Sequence, residues 1–182
     1  MARLLCLTGA ESSGKTTLAR ALAHNLDGIL VPELARQWLS GPSPPAQTEA
    51  LLEALAAAQR QAEAGALAAA SGRWVILDTD VLVLAVWWME RFATADAALW
   101  PDWLTEAWAA RGPRCYLLCS PDTPWEDDPL RVNPEDRPRL DQRYEHLLRT
   151  GTFAWRRVRG SEEHRLTTAL EWLRTQDSGD SA

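Results

Sequence analysis

Two glycines and a lysine within eight residues constrain this chain more than anything else in it. Gly9-Ala10-Glu11-Ser12-Ser13-Gly14-Lys15-Thr16 follows the spacing Gly, any four residues, Gly, Lys, then Ser or Thr. Glycine adopts the backbone angles of a tight anion-binding turn, so successive N–H groups can converge on one point. A helix opening after the loop aims its positive end at the same point. Lys15 is suited to bridge outer phosphates, and the Thr16 hydroxyl to ligate Mg²⁺. The loop follows Arg3 to Thr8 (RLLCLT), a short apolar run of the kind buried on both faces of a parallel sheet. Gly9, Glu11, Ser12, Ser13, Gly14, Lys15, Thr16 and Thr17 are therefore the expected holders of a nucleoside triphosphate, ATP or a close relative.

Composition sharpens the role of the lysine. Of 19 basic residues 18 are Arg, and Lys15 is the single Lys. Where a basic group merely needs charge this chain uses Arg. It keeps a compact ammonium at the position where a guanidinium fork would not fit between phosphates. The net charge of -6 and a pI of about 5.1 argue against nucleic acid as the main partner. Cys6, Cys115 and Cys119 lie in apolar strand-like runs without metal-type spacing, and read as buried thiols of a reducing cytoplasm. The first residues run straight into a strand, so no signal peptide is expected, and no apolar run approaches a membrane span.

Along the chain, strands are expected at Arg3 to Thr8, Gly28 to Val31, Arg73 to Leu77, Arg114 to Cys119 and Ala154 to Val158. Helices are expected from Thr16 to about Leu26, Gln47 to Ala70, Val81 to Phe92, Pro101 to Ala110, Leu140 to Arg149 and Glu162 to Arg174. Gly65 is a candidate interruption of the long second helix, and Gly72 its stop. The βαβ alternation implies a three-layer α/β/α domain over residues 1–175, with a five-stranded parallel sheet, and the short polar stretch 176–182 is expected to be a disordered tail.

Ligands of open α/β sheets bind beyond the carboxyl ends of the strands, and acids stand there. Asp78 ends the third strand and suits Mg²⁺ or the acceptor proton. Asp80 fits either the acceptor side or the cap of the next helix. Glu33 ends the second strand, with Arg36 one turn on, a pair suited to gripping a substrate hydroxyl. Trp125 to Arg139, with Arg131, Arg137 and Arg139, has the composition of a lid that brings positive charge over a moving phosphoryl group and excludes water. Trp87 and Trp88 could offer a stacking face to a flat base or pack in the core. Gln59 could face substrate from the long helix.

The set GAESSGKTTLA, VPELAR, ILDTD with Val86-Trp87, and PDTPWEDDPLR with Arg137 resembles the nicotinamide riboside kinase domain of the NadR type, from about Leu4 to about Leu173. The resemblance implies a P-loop kinase fold with a lid and ATP-dependent phosphorylation of a ribonucleoside 5′-hydroxyl, giving nicotinamide mononucleotide. Gly9 to Thr17 would hold phosphates. Glu33, Arg36, Asp78 and Asp80 would border acceptor and Mg²⁺, Arg131 and Arg137 would belong to the lid, and Gly160 would lie near the adenine. Multifunctional members carry a DNA-binding region and an adenylyltransferase domain ahead of the kinase, and this sequence opens at the kinase strand, so only the kinase step is expected. Where some members place an aromatic residue before the strand-two Glu this chain has Pro32, and Leu34 replaces a frequent Tyr. The implied partner is a small-molecule nucleoside, with no nucleic acid and no membrane; a homo-oligomer is compatible with the sequence.

Two other readings carry distinct marks. A nucleotide-binding regulatory NTPase would turn over without an acceptor, and the N-K-x-D base-reading pattern of small GTPases is absent. An ATPase acting on nucleic acid would need a basic groove.

Overall fold

A computed structural model describes residues 3–39, 48–92, 99–124, 134–151 and 153–179. Five strands, β1 (Arg3–Thr8), β2 (Ile29–Val31), β3 (Trp74–Asp78), β4 (Cys115–Cys119) and β5 (Ala154–Val158), form one sheet in the order β2-β3-β1-β4-β5. Every pairing is parallel. The three central strands are the continuous apolar runs, buried nearly throughout, as strands covered on both faces must be. The edge strand β5 instead alternates, with Ala154 and Arg156 exposed.

Helices cover both faces. Leu5, Leu7, Ile76, Leu117 and Val158 point to one side and pack on α1 (Lys15–Asn25) and α7 (Glu162–Gly179). Leu4, Cys6, Val75, Leu77, Tyr116 and Leu118 point to the other. There they meet α2 (Leu34–Leu39), α3 (Glu49–Ala69), α4 (Val81–Phe92), α5 (Asp102–Ala109) and α6 (Arg137–Thr150). This is the expected three-layer α/β/α arrangement.

The element boundaries follow local chemistry. Thr48 caps α3 by accepting the Leu51 N–H at 3.2 Å. Gly65 lies within α3 without breaking it. The helix ends at Ser71 and Gly72, whose φ values of 48° and 85° turn the chain into β3. Cys6, Cys115 and Cys119 are free and buried. Burial pushes the Cys119 thiol up to about 11.

Three elements differ from expectation. The short helix α2 follows Glu33 directly, where no helix is signalled by periodicity. Helix α6 begins at Arg137 rather than Leu140, after a single 3₁₀ turn at Pro134–Asp136. The proline at its second position has no N–H to lose there, which permits the earlier start. Helix α7 continues to Gly179, past the expected Arg174 and into residues read as tail.

Candidate active site

Position in the sheet builds the site. Strand β1 is flanked by β3 and β4, so the loop leaving it at Thr8 emerges between their carboxyl ends. Gly9 sits against the neighbouring strand: a Cβ there would lie 2.5 Å from the Cys119 carbonyl oxygen. Its φ of 133°, with 75° at Gly14, is the backbone the loop requires. Ser12 at φ 51° extends the same curl with a non-glycine residue.

The loop forms the floor of a cavity of about 300 Å³, within the range of small-ligand sites. Gly9, Glu11, Ser12, Ser13, Gly14, Lys15, Thr16 and Thr17 all border it. Lys15 Nζ donates to the carbonyls of Gly9 at 2.9 Å and Ala10 at 2.7 Å. It lies folded over its own loop, within reach of any anion the cradle holds.

The opposite wall of the same cavity comes from α2, α4 and α6. Glu33 and Arg36 border it, joined by an ion pair at 3.6 Å, with Trp87, Val83 and Leu39 beside them. Burial raises the Glu33 carboxyl above its usual 4.5; Lys15 opposes the shift and the charge of Asp78 adds to it. Leu140 and Tyr144, one turn apart on α6, complete this wall. Neither was singled out from sequence, where their i, i+4 spacing reads only as an amphipathic helix. Burial and the charges of Glu33 and Glu11 hold the Tyr144 phenol well above its ordinary range, so it stays neutral.

Asp78 pairs in register with Leu7 at the mouth of the loop. It is 2% exposed, and among the described residues its Oδ1 has no hydrogen-bond partner. The Ser13 and Thr8 hydroxyls, on the loop and at the end of β1, are likewise buried without a partner among the described residues. Orphaned oxygens at a phosphate loop are the mark of a site that a cation or an anion completes. Among the described residues no cluster of three His, Cys, Asp or Glu could cage a metal by itself. A Thr hydroxyl with one carboxylate instead fits Mg²⁺, which takes much of its coordination from phosphate and water.

Asp80, expected either on the acceptor side or as the cap of the next helix, takes the cap. Its Oδ1 caps α4 by accepting the Leu82 N–H at 2.9 Å. Its Oδ2 accepts from Arg114 at 3.0 Å and from the Tyr116 hydroxyl at 2.7 Å. Arg114 also forks onto Glu63 at 2.7 and 3.0 Å. Burial alone would lower the Arg114 pKa; Asp80 and Glu63 reverse this and raise it. Thr79, between the two aspartates, holds a φ of 77°, an uncommon angle for a β-branched residue. Gln59 is also a support rather than a substrate contact: its amide donates to the Thr79 carbonyl at 3.3 Å. Trp88 packs in the core, its ring 3.9 Å from that of Phe92, so Trp87 alone of the tryptophan pair meets the cavity.

Arg137, expected over the moving phosphoryl group, is buried against the loop. Its Nη2 donates to the carbonyls of Ser12 at 3.1 Å and Thr123 at 3.0 Å. Arg139 pairs with Glu90 and with Asp136 on the helix surface. Trp125 and Arg131 lie outside the described residues. A further residue, like Leu140 and Tyr144, was not singled out from sequence. Arg165 of α7 is 2% exposed and reaches the loop at the Ser13 carbonyl. The available signal was its place on the apolar stripe, four residues before Ala169 and eight before Leu173.

Residues 4–165 match the AAA domain family. Comparison with curated proteins gives no match. Among solved structures, a NadR protein in complex with NR superposes with a TM-score of 0.71 at 20% identity, over 93% of this chain and 50% of that one. A NadR protein in complex with NAD and AMP-PNP gives a TM-score of 0.68 at 17% identity, over 93% and 48%. The chain thus spans about half the length of the NadR chains it matches. Thymidylate kinase from Candida albicans gives 0.67 at 17% identity, over 97% and 92%. At these identities the likeness establishes a shared P-loop kinase fold.

Proposed function

This chain belongs to the AAA domain family, and on that premise we propose that it is an ATP-dependent phosphotransferase acting on a nucleoside. The acceptor is a ribonucleoside 5′-hydroxyl, with nicotinamide riboside as substrate and nicotinamide mononucleotide as product, a step of NAD salvage in the cytoplasm. The observation that carries the reading is a single cavity with two chemically different ends. One end is the phosphate loop. The other is a carboxylate, an arginine and an indole, of a kind that grips sugar hydroxyls and a flat ring. A nucleotide hydrolase needs only the first end.

The chain's own residues divide the work. The loop amides and Lys15 bind the triphosphate, Lys15 exchanging the Gly9 and Ala10 carbonyls for phosphate oxygens. Thr16 and Asp78 would hold Mg²⁺, which neutralises charge on the phosphates when bound. Glu33 accepts the hydrogen bond of the acceptor hydroxyl, and burial raises its pKa in the direction that suits a general base. Arg36 holds Glu33 and the sugar edge. Trp87 supplies the face on which the base lies, with Leu39, Val83 and Tyr144 excluding water around it. Phosphoryl transfer asks for little else beyond alignment and positive charge.

ADP release measured over a panel of nucleosides tests the proposal. Stimulation by nicotinamide riboside above the rest supports it. ATP binding with turnover indifferent to every nucleoside would reject it in favour of a regulatory NTPase.

A further inference from the structure

Among the described residues Arg165 is the largest fully buried side chain. A guanidinium taken out of water is costly unless its donors are matched. Here they are matched by acceptors from three separate segments. Nη1 donates to Ser13 O of the phosphate loop at 2.7 Å. Nη2 donates to Ser120 O, just past β4, at 3.0 Å and also pairs with the Asp122 carboxylate. Nε donates to Gly160 O, between β5 and α7, at 2.8 Å. Asp122 closes the set by accepting the Gly160 N–H at 2.7 Å. Ser13, Thr123 and Glu162, one from each segment, border the cavity.

The choice of carbonyl matters. In a trans peptide the C=O and N–H point in opposite directions from one rigid plane. The Ser13 carbonyl and the Gly14 N–H belong to the same plane. A cation that fixes the oxygen on the outside of the loop therefore fixes the N–H toward its inside, where phosphate binds. Gly14, at φ 75°, has little steric restraint of its own, so an external anchor has the most effect at this peptide.

We propose that Arg165 is a positioning residue for the triphosphate: it aims the Gly14 N–H into the cradle and joins the phosphate loop to the loops after β4 and β5 as one block. The proposal rests on the reading of Gly9 to Thr17 as the donor site. It goes beyond that reading in assigning part of the cradle's geometry to a residue some 150 positions away in sequence.

Calorimetric titration of the full chain with Mg²⁺–ATP, and separately with inorganic tripolyphosphate, tests it on the parent, Arg165→Gln and Arg165→Lys. Tripolyphosphate has no base or sugar, so it reports the cradle alone. Arg165→Gln weakens both ligands by at least about tenfold, the scale of one lost charged hydrogen bond. Arg165→Lys, which keeps the charge but not the fork, falls between Gln and the parent. In turnover the KM for ATP rises while the KM for the acceptor stays put. A residue serving stability alone would lower the active fraction and move neither KM. Should Arg165→Gln fail to fold, the Lys variant decides: parental affinity for tripolyphosphate overturns the proposal. A parent protein that binds neither ligand would instead sink the donor reading itself.

Discussion

Asp78 and Asp80 stand one residue apart and differ in their partners. Asp80 Oδ2 accepts from Tyr116 at 2.7 Å and from Arg114 at 3.0 Å, while Asp78 Oδ1 is buried with no partner among the described residues. Thr79 stands between them at φ 77°, and beyond it Asp80 faces Arg114 and Tyr116. Their variants should therefore fail in opposite ways. Asp80→Ala leaves Arg114 and Tyr116 short of a buried acceptor and costs roughly 3 kcal/mol of stability in urea unfolding. Asp78→Asn keeps a polar side chain of the same size at this buried position, so stability changes little, while kcat falls by about 10²–10³. A destabilised Asp78→Asn with normal kcat would exchange the two roles.

Among the described residues Lys15 hydrogen-bonds its own loop alone, at the Gly9 and Ala10 carbonyls. Lys15→Ala is expected to unfold within about 1 kcal/mol of the parent, the scale of the loop hydrogen bonds it loses. Its kcat should fall by about 10²–10³, the scale of a lost charge-stabilising donor. Near-normal turnover in that variant would overturn the assignment of the cradle.

Glu33 should set the acid limb of the activity profile. Its folded pKa lies above the usual 4.5, with burial the first cause and the Asp78 charge contributing. Between 4.5 and the folded value the native state binds the extra proton, so this group lowers stability as pH rises through that window. Activity runs the other way: the hydroxyl-accepting carboxylate forms only above the folded pKa. Carbon NMR titration of the Glu33 carboxyl should place its midpoint above 4.5, lower in Asp78→Asn and higher in Lys15→Ala. A midpoint indifferent to both variants would remove Glu33 from the site's electrostatics.

Trp87 and Trp88 are neighbours with different surroundings, one on the cavity and one in the core. Trp87→Ala should raise the acceptor KM about tenfold, the scale of one lost stacking contact, and leave the ATP KM unchanged. Trp88→Ala should cost roughly 3–5 kcal/mol of stability and change neither KM. Equal behaviour of the two variants would remove Trp87 from the acceptor side.

The cradle was legible in the sequence because its chemistry is local. Eight consecutive residues carry the spacing, the preceding apolar run supplies the strand, and the lone lysine marks the charge that cannot be exchanged for Arg. The strands were legible for a related reason: a strand covered on both faces must be apolar throughout. The acceptor side depends on which way individual side chains turn. Asp78 and Asp80, or Trp87 and Trp88, are interchangeable to composition and spacing. Packing separates them, through Arg114 and Tyr116 drawing Asp80 back and Phe92 and Trp103 enclosing Trp88. Arg165 and Arg137 illustrate the same limit, since each meets the phosphate loop across more than a hundred residues of sequence. What the sequence determined by itself was a strand, a loop that binds phosphate and a helix behind it, because contiguous backbone geometry suffices for these. What only the tertiary structure decided was which acids and arginines converge on that loop, because the burial of a charge is set by partners the chain brings from far away.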